Sequence, residues 1–188
     1  MRRRGAAALA LIALVLGGAA SSPLSQVILG QAVEGQPGGN ASAQQVTGTV
    51  IRVADGDTVT MRSEQGEKIR VRLLGIDAPE IAHGKGQADQ CGGPQAAAAL
   101  RDFALQRQAV LLADPRADAQ DRYGRRLGYL SVQGADAAEH LLQSGLVGVW
   151  RPKGAPEPSR WSEYQQLAKQ AQTAGTGSWK TCGVLGRD

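Results

Sequence analysis

The chain has 188 residues, enough for one domain with a real core and too few for two. Apolar residues make up 42% and charged residues 20%, which argues against wholesale disorder, while two His and two Cys exclude zinc fingers and other multi-Cys/His metal sites on ligand count. The formal net charge is +4, but Arg2, Arg3 and Arg4 precede the first acid, Glu34; without them eighteen basic residues face seventeen acidic ones, so any polyanion site must come from local arginine placement.

Met1–Gly5 is basic, Ala6–Leu16 is an uninterrupted apolar run, and Gly-Gly-Ala-Ala follows. A run of that length fits the h-region of a secretory signal, about 7–15 residues, and falls short of the roughly 20 that a spanning helix needs. Residues 1–20 are therefore expected to be a signal peptide, cleaved before Ser21 or as late as Ala32. The protein is then periplasmic or extracellular. The alternative is an N-terminal anchor left uncleaved, with Val27-Ile28-Leu29 extending it past Pro23. Residues 33–45 are rich in Gly, Gln, Ser and Ala and read as a flexible leader, in which the sequon Asn40-Ala41-Ser42 is a chance occurrence. Residues 46–183 are expected to form one domain and 184–188 a C-terminal tail.

Order is expected from Val46. Val46–Ala54 is β-branched and apolar, Asp55-Gly56 punctuates it, and Asp57–Arg62 alternates, so two strands are predicted. Ser63–Glu67 makes a turn. Lys68–Ile76 is a third strand, with Ile69, Val71 and Leu73 on one face and Arg70, Arg72 and Leu74 on the other. After a polar, Gly-rich loop at Ile81–Gly93, Pro94–Arg107 has helical spacing in Ala96, Leu100 and Phe103, with Pro94 at its start. Ala109–Leu112 and Arg126–Val132 are two more strands. Asp136–Ser144 is a second helix stopped by Gly145, and Ser159–Thr173 a third, with Trp161, Tyr164, Ala168 and Ala171 on its core side. His140 reads as a partly buried surface residue and His83 as an exposed loop residue. The predicted fold is mainly β with helices (α+β): a five-stranded OB-type barrel with about three packed helices.

Two acidic clusters stand out, Asp55-Gly56-Asp57-Thr58 between strands one and two and Asp77-Ala78-Pro79-Glu80 at the end of strand three. In a meander these ends converge, and Asp57 and Asp77 would offer hard oxygens to a hard cation such as calcium. Read singly, each cluster is a turn: Asp-Gly is a common turn dipeptide, and the residue before a proline stays extended. Arg72 is either an exposed sheet-face residue or a site residue, and Arg125, in Asp121-Arg122-Tyr123-Gly124-Arg125, could belong to a polar hairpin.

Taken together, Val53–Val59 (VADGDTV), Arg72–Glu80 (RLLGIDAPE) and Asp121–Tyr129 (DRYGRRLGY) resemble the three motifs of the thermonuclease, or staphylococcal-nuclease-like, family, in that family's order. The resemblance extends over Val46–Trp179. It implies that Asp57 and Asp77 are calcium carboxylates, with the backbone carbonyl of Ala78 as a further ligand. It implies that Arg72 and Arg125 bind phosphate, that Glu80 activates or orients the attacking water, and that Arg122 and Tyr123 contact substrate. The implied activity is an exported, calcium-dependent endonuclease that cleaves DNA and RNA to 3′-phosphate ends, acting as a monomer with no stable protein partner and no membrane contact once the leader is removed. The paired tyrosines that pack on the substrate base in the best-known member have no match; Trp150 and Arg151 occupy that region.

Two other functions fit parts of the pattern. A non-catalytic OB-type nucleic-acid-binding module would be expected to have lost some of Arg72, Glu80 and Arg125, and all three are present. A structural calcium-binding protein would use Asp57 and Asp77 and leave the arginines idle. Cys91 and Cys182, an even pair in an exported chain, are expected to form a disulfide; the alternative is two thiols too far apart to bridge.

Overall fold

The computed structural model describes residues 45–82, 84, 86–183 and 185. The expected export signal, all of the leader but Gln45, His83, and the tail apart from Leu185 lie outside the described residues. Within that tail, Leu185 is buried.

β1 (Gln45–Val53), β2 (Thr58–Ser63) and β3 (Lys68–Leu73) form an antiparallel meander, with Val53 opposite Val59 and Thr58 opposite Arg72. β5 (Gln108–Leu112) pairs with the free side of β1, and β6 (Arg126–Val132) pairs with β5. β6 then meets β3 in parallel, Arg72 opposite Leu127, and closes the sheet on itself. Closure leaves no open edge among these five strands. The expected five-stranded OB-type barrel is therefore what the chain forms.

The third strand ends earlier than its composition suggests. The apolar run Lys68–Ile76 breaks after Leu73, because Gly75 takes a left-handed conformation (φ 84°) that a β-branched residue would resist. The chain re-forms as β4 (Ile76–Asp77), which pairs with β8 (Gly148–Val149) with Asp77 opposite Gly148. A short β7 (Ala135–Asp136) returns on β6.

Among the described residues, four helices accompany the barrel, the last of them packed against the third. α1 (Gly93–Ala104) stops short of the predicted Arg107, since Gln106 turns left-handed (φ 61°) and hands the chain to β5. α2 (Ala137–Gln143) is capped by Asp136, whose Oδ1 accepts from the Ala138 and Glu139 amides at 2.7 and 3.2 Å. α3 (Trp161–Ala174) buries Tyr164, Ala168 and Ala171. Trp161 is not core as expected: at the first turn it is half-buried, its ring 5.5 Å from the Arg151 guanidinium. His140 is half-buried and stacked on Phe103 at 4.6 Å. α4 (Trp179–Cys182), a single turn, was not predicted, because four polar and aromatic residues carry no periodicity to read.

One apolar core joins Val50, Val59, Met61, Val71 and Leu130 of the strands to Leu100, Leu141, Leu142 and Tyr164 of the helices. A polar network pins the start of α3 to the barrel. Asp114 accepts from the Tyr129 hydroxyl, from the Ser159 amide (2.6 Å) and hydroxyl (2.8 Å) and from the Arg116 amide (2.8 Å). Arg160 is paired with Asp136 and lies over the Tyr129 ring at 4.8 Å. Cys91 and Cys182 are bridged, with Cα atoms 5.6 Å apart and a sequence separation of 91. Chain entropy alone gives a loop of that length about 4–5 kcal/mol of stabilisation.

Candidate active site

Strand register creates the site. Thr58 faces Arg72 across β2 and β3, and the Leu73 amide donates to the Asp57 carbonyl at 2.8 Å, so Asp57 sits at the end of β3. The break at Gly75 and the β4–β8 pairing carry Asp77 back to the same place. The Asp-Gly pair does more than punctuate a turn: a Cβ on Gly56 would lie 2.6 Å from the methyls of both Ala78 and Ala96, so only glycine lets the β1–β2 connection sit against the second acidic cluster and α1.

Arg72 joins the two clusters. Its Nη2 lies 2.7 Å from Asp77 Oδ1 and its Nη1 2.9 Å from Asp57 Oδ2, and Nη1 also donates to the carbonyls of Leu73 (3.1 Å) and Ile76 (2.9 Å). The alternation of β3 puts Arg72 on the outward phase, yet it is only 7% exposed; Asp57 and Asp77 are 5% and 3% exposed. Arg72 is therefore not an exposed sheet-face residue; it is buried between the two aspartates.

The charge at this place is unbalanced. Burial pushes the Asp57 carboxyl up to about 7; Arg72 and the Ala78 amide, 2.9 Å away, oppose the rise, and neighbouring Asp55 adds to it. Among the described residues, both buried carboxylates pair with the Arg72 guanidinium, so the negative charge here is only partly offset at close range. That deficit fits a cation. Among the described residues no three His, Cys, Asp or Glu side chains cluster as metal ligands. Asp57 and Asp77 would then offer two carboxylates, hard oxygen donors that suit a hard ion which keeps water. Of Ala78, the amide is what contacts Asp57, through Oδ2.

Arg125 reaches the same cluster from the β5–β6 connection. Its Nη1 donates to Thr58 Oγ1 at 3.1 Å, and Thr58 Oγ1 donates to Asp57 Oδ1 at 3.0 Å. Asp121 holds Arg125 in place: one carboxylate oxygen accepts Nε at 2.7 Å and the other accepts the amides of Tyr123 and Arg125, both at 2.9 Å. Burial works against ionisation of Asp121, but these bonds from Arg125 and Tyr123 outweigh it and keep the carboxyl below its ordinary value. Tyr123 is 60% exposed, with Arg122 at 4.9 Å and Arg125 at 5.5 Å from its ring. Thr58 and Asp121 were missed in the sequence. The spacing of Asp121 and Arg125 across a tight turn was a usable signal; Thr58 had none, because its role exists only across strands.

Glu80 lies just past the buried segment that ends at Pro79, and it is exposed. Its amide donates to Gln90 Oε1 and its carbonyl accepts from the Gln90 amide, both at 2.9 Å. Trp150 is half-buried, its amide bonded to the Gly75 carbonyl at 3.0 Å, and the Arg151 guanidinium donates to the Ala155 carbonyl.

The fold and site define an OB-type α+β protein whose barrel rim carries two buried aspartates, a buried arginine between them and a second arginine alongside. The family model described as Staphylococcal nuclease homologue matches residues 70–181, and the chain belongs to that family. It is 33% identical over 132 residues to the micrococcal nuclease of Shigella flexneri, covering 65% of this chain and 69% of that protein. It is 30% identical over 136 residues to the thermonuclease of Staphylococcus hyicus, covering 71% and 73%. An uncharacterized protein of Bacillus anthracis is 30% identical over 146 residues, 76% of this chain; the chain spans 64% of that protein's length.

Proposed function

We propose that the protein is an exported, calcium-dependent endonuclease that hydrolyses DNA and RNA phosphodiesters on the 5′-oxygen side and leaves 3′-phosphate ends. The observation that carries this reading is the single hydrogen-bonded unit made by Asp77, Arg72, Asp57, Thr58 and Arg125, with Glu80 three residues beyond Asp77. Family membership and the nuclease names of the relatives support it. Acting as a monomer on DNA and RNA, in the periplasm or outside the cell, completes the reading.

Asp57, Asp77 and the Ala78 carbonyl would hold the ion. When bound, calcium would add Lewis-acid stabilisation of the charge that grows on the phosphoryl oxygens. Arg125, gripped through Nε by Asp121 and bonded through Nη1 to Thr58, would turn its other guanidinium N–H groups to a phosphate oxygen. Arg72 is fixed by two carbonyls and two carboxylates, so its charge is pre-organised and needs no rearrangement as the reaction proceeds. Glu80 takes the proton from the attacking water or holds that water in line. Tyr123 and Arg122, exposed beside Arg125, guide the chain of the substrate.

The test is incubation of the purified protein with plasmid and with RNA, in calcium, in magnesium and in chelator. Cleavage of both substrates in calcium, little in magnesium and none in chelator is expected. Equal turnover in magnesium, or cleavage that survives excess chelator, would overturn the metal assignment. Glu80→Gln and Arg125→Ala are each expected to lower kcat by at least about 10²-fold with the circular dichroism spectrum unchanged. Wild-type rates in both would sink the nuclease reading.

A further inference from the structure

A general base must be held in a fixed place, and Glu80 is in a difficult one: it is exposed, on a polar loop, just outside the buried rim. Its backbone is nonetheless clasped from the far end of that loop. The Glu80 amide donates to Gln90 Oε1 and the Gln90 amide donates back to the Glu80 carbonyl, both at 2.9 Å, while the Ala82 amide donates to Asp89 Oδ1 at 2.8 Å. Hydrogen bonds this exposed compete with water and do not hold a loop by themselves. Something else must keep Gln90 opposite Glu80.

The neighbouring residue is Cys91. Its bridge to Cys182 ties the loop to α4, and α4 is tied in turn to the body of the protein, since the Ser178 amide donates to the Gly145 carbonyl and the Cys182 amide to the Ser178 carbonyl, at 2.9 and 2.8 Å. The segment between is wedged. A Cβ on Gly93 would lie 2.6 Å from the Glu80 carbonyl oxygen and 3.0 Å from that of Pro79. Residues 90–93 are thus pressed between the bridge and the backbone that carries Glu80. The phosphodiester chemistry has no use for a thiol, so the bridge acts only through position.

We infer that Gln90 is a positioning residue for Glu80 and that the Cys91–Cys182 bridge holds Gln90 in place, so the oxidised chain keeps the carboxylate ready for proton transfer and the reduced chain does not. This rests on the reading of Glu80 as the base. Reduction by a small dithiol breaks the one S–S bond; the dithiol gives up two electrons and two protons, leaves two cysteine thiols and closes to its own disulfide.

The test compares kcat, KM and melting temperature on a defined oligonucleotide in calcium. Gln90→Met removes the acceptor while keeping the shape, and it is expected to lower kcat about tenfold with KM and melting temperature nearly unchanged, the scale of a slightly misplaced group. Gln90→Glu keeps an acceptor oxygen and is expected to retain kcat within about threefold. Reducing the wild type is expected to lower kcat at least as far as Gln90→Met does, and reducing Gln90→Met to lower it by less than the product of the two losses, because both lesions weaken the same two-bond clasp. Wild-type kcat in Gln90→Met overturns the inference, and so do losses from substitution and reduction that multiply. If the reduced chain does not stay folded, the contrast between Gln90→Met and Gln90→Glu in the oxidised chain decides. Glu80→Gln separates the two levels. A slow Glu80→Gln beside a fast Gln90→Met removes only this inference; a fast Glu80→Gln removes the assignment of the base and this inference with it.

Discussion

Asp57 at the barrel rim and Asp114 beneath the start of α3 are both 5% exposed, and their surroundings treat them in opposite ways. Asp114 accepts four hydrogen bonds, from Tyr129, Ser159 twice and Arg116; burial resists its ionisation, but these donors overcome the resistance and hold its carboxyl below the ordinary value. Asp57 has donors too, yet it shares Arg72 with Asp77 and has Asp55 beside it, and burial leaves it raised to about 7. The first carboxylate is satisfied by the fold and helps to hold it together. The second is left short of positive charge, which is what a site that receives a cation requires and what a purely structural site avoids.

That contrast is sharpest in the variants expected to do most damage. Arg72→Ala strips the guanidinium that pairs with both buried carboxylates and is expected to cost about 3–5 kcal/mol of stability as well as activity. Chemical denaturation alongside the cleavage assay would show both losses; a stable, active variant would mean that the rim is not charge-frustrated at all.

Asp57→Asn separates the two properties. Cleavage is expected to fall at least about 10²-fold, while the metal-free fold is not weakened at neutral pH. The sign follows from linkage. The folded carboxyl of Asp57 is raised, so its contribution to stability is greatest below the ordinary value of 3.8 and declines as pH rises to about 7. In chelator, the melting temperature of Asp57→Asn relative to wild type is therefore expected to climb across that interval and level off above it. A difference that stays flat, or that reverses, would place the rim in the same class as Asp114. Asp114 has the opposite sign: its contribution is present above 3.8 and is lost as pH falls through its lowered folded value.

Substitutions in the scaffold network are expected to lower stability without touching chemistry. Asp114→Ala leaves the buried Tyr129 hydroxyl and the Ser159 amide without their acceptor, at about 2 kcal/mol, with kcat per folded molecule unchanged. Tyr164→Phe removes only the bond to Asp136 Oδ2 at 2.9 Å; about 1 kcal/mol is expected, read as a small shift in the denaturation midpoint. A drop in kcat for either variant would show that the α3 anchor and the rim are coupled, and the comparison would fail.

Much of the fold was legible because its signals are local. Alternation along β1 to β3, the glycine stop after α2 and the apolar spacing of α1 each follow from residues a few positions apart. The elements that were missed or misplaced depend on distant partners. β4 is paired with β8, α4 ends at the Cys182 that is bridged to Cys91, and Trp161 lies beside the Arg151 guanidinium, all partners far off in sequence or beyond a local pattern.

The site divides along the same line. By itself the sequence determined which groups are available: two aspartate clusters, two arginines at fixed offsets from them, one glutamate after a proline, and an even pair of cysteines. The break after β3 was not legible in the same way: Gly75 permits the left-handed backbone there, but the apolar run Lys68–Ile76 reads as one strand until β8 pairs with Ile76–Asp77. Only the tertiary structure decided that Arg72 turns inward to bridge Asp57 and Asp77, that Thr58 relays Arg125 to Asp57, and that Gln90 clasps Glu80. Alternation can say which face of a strand a side chain occupies, but the burial and charge of that place are set by segments far away in the chain, and those set whether a carboxylate is satisfied or left wanting a cation.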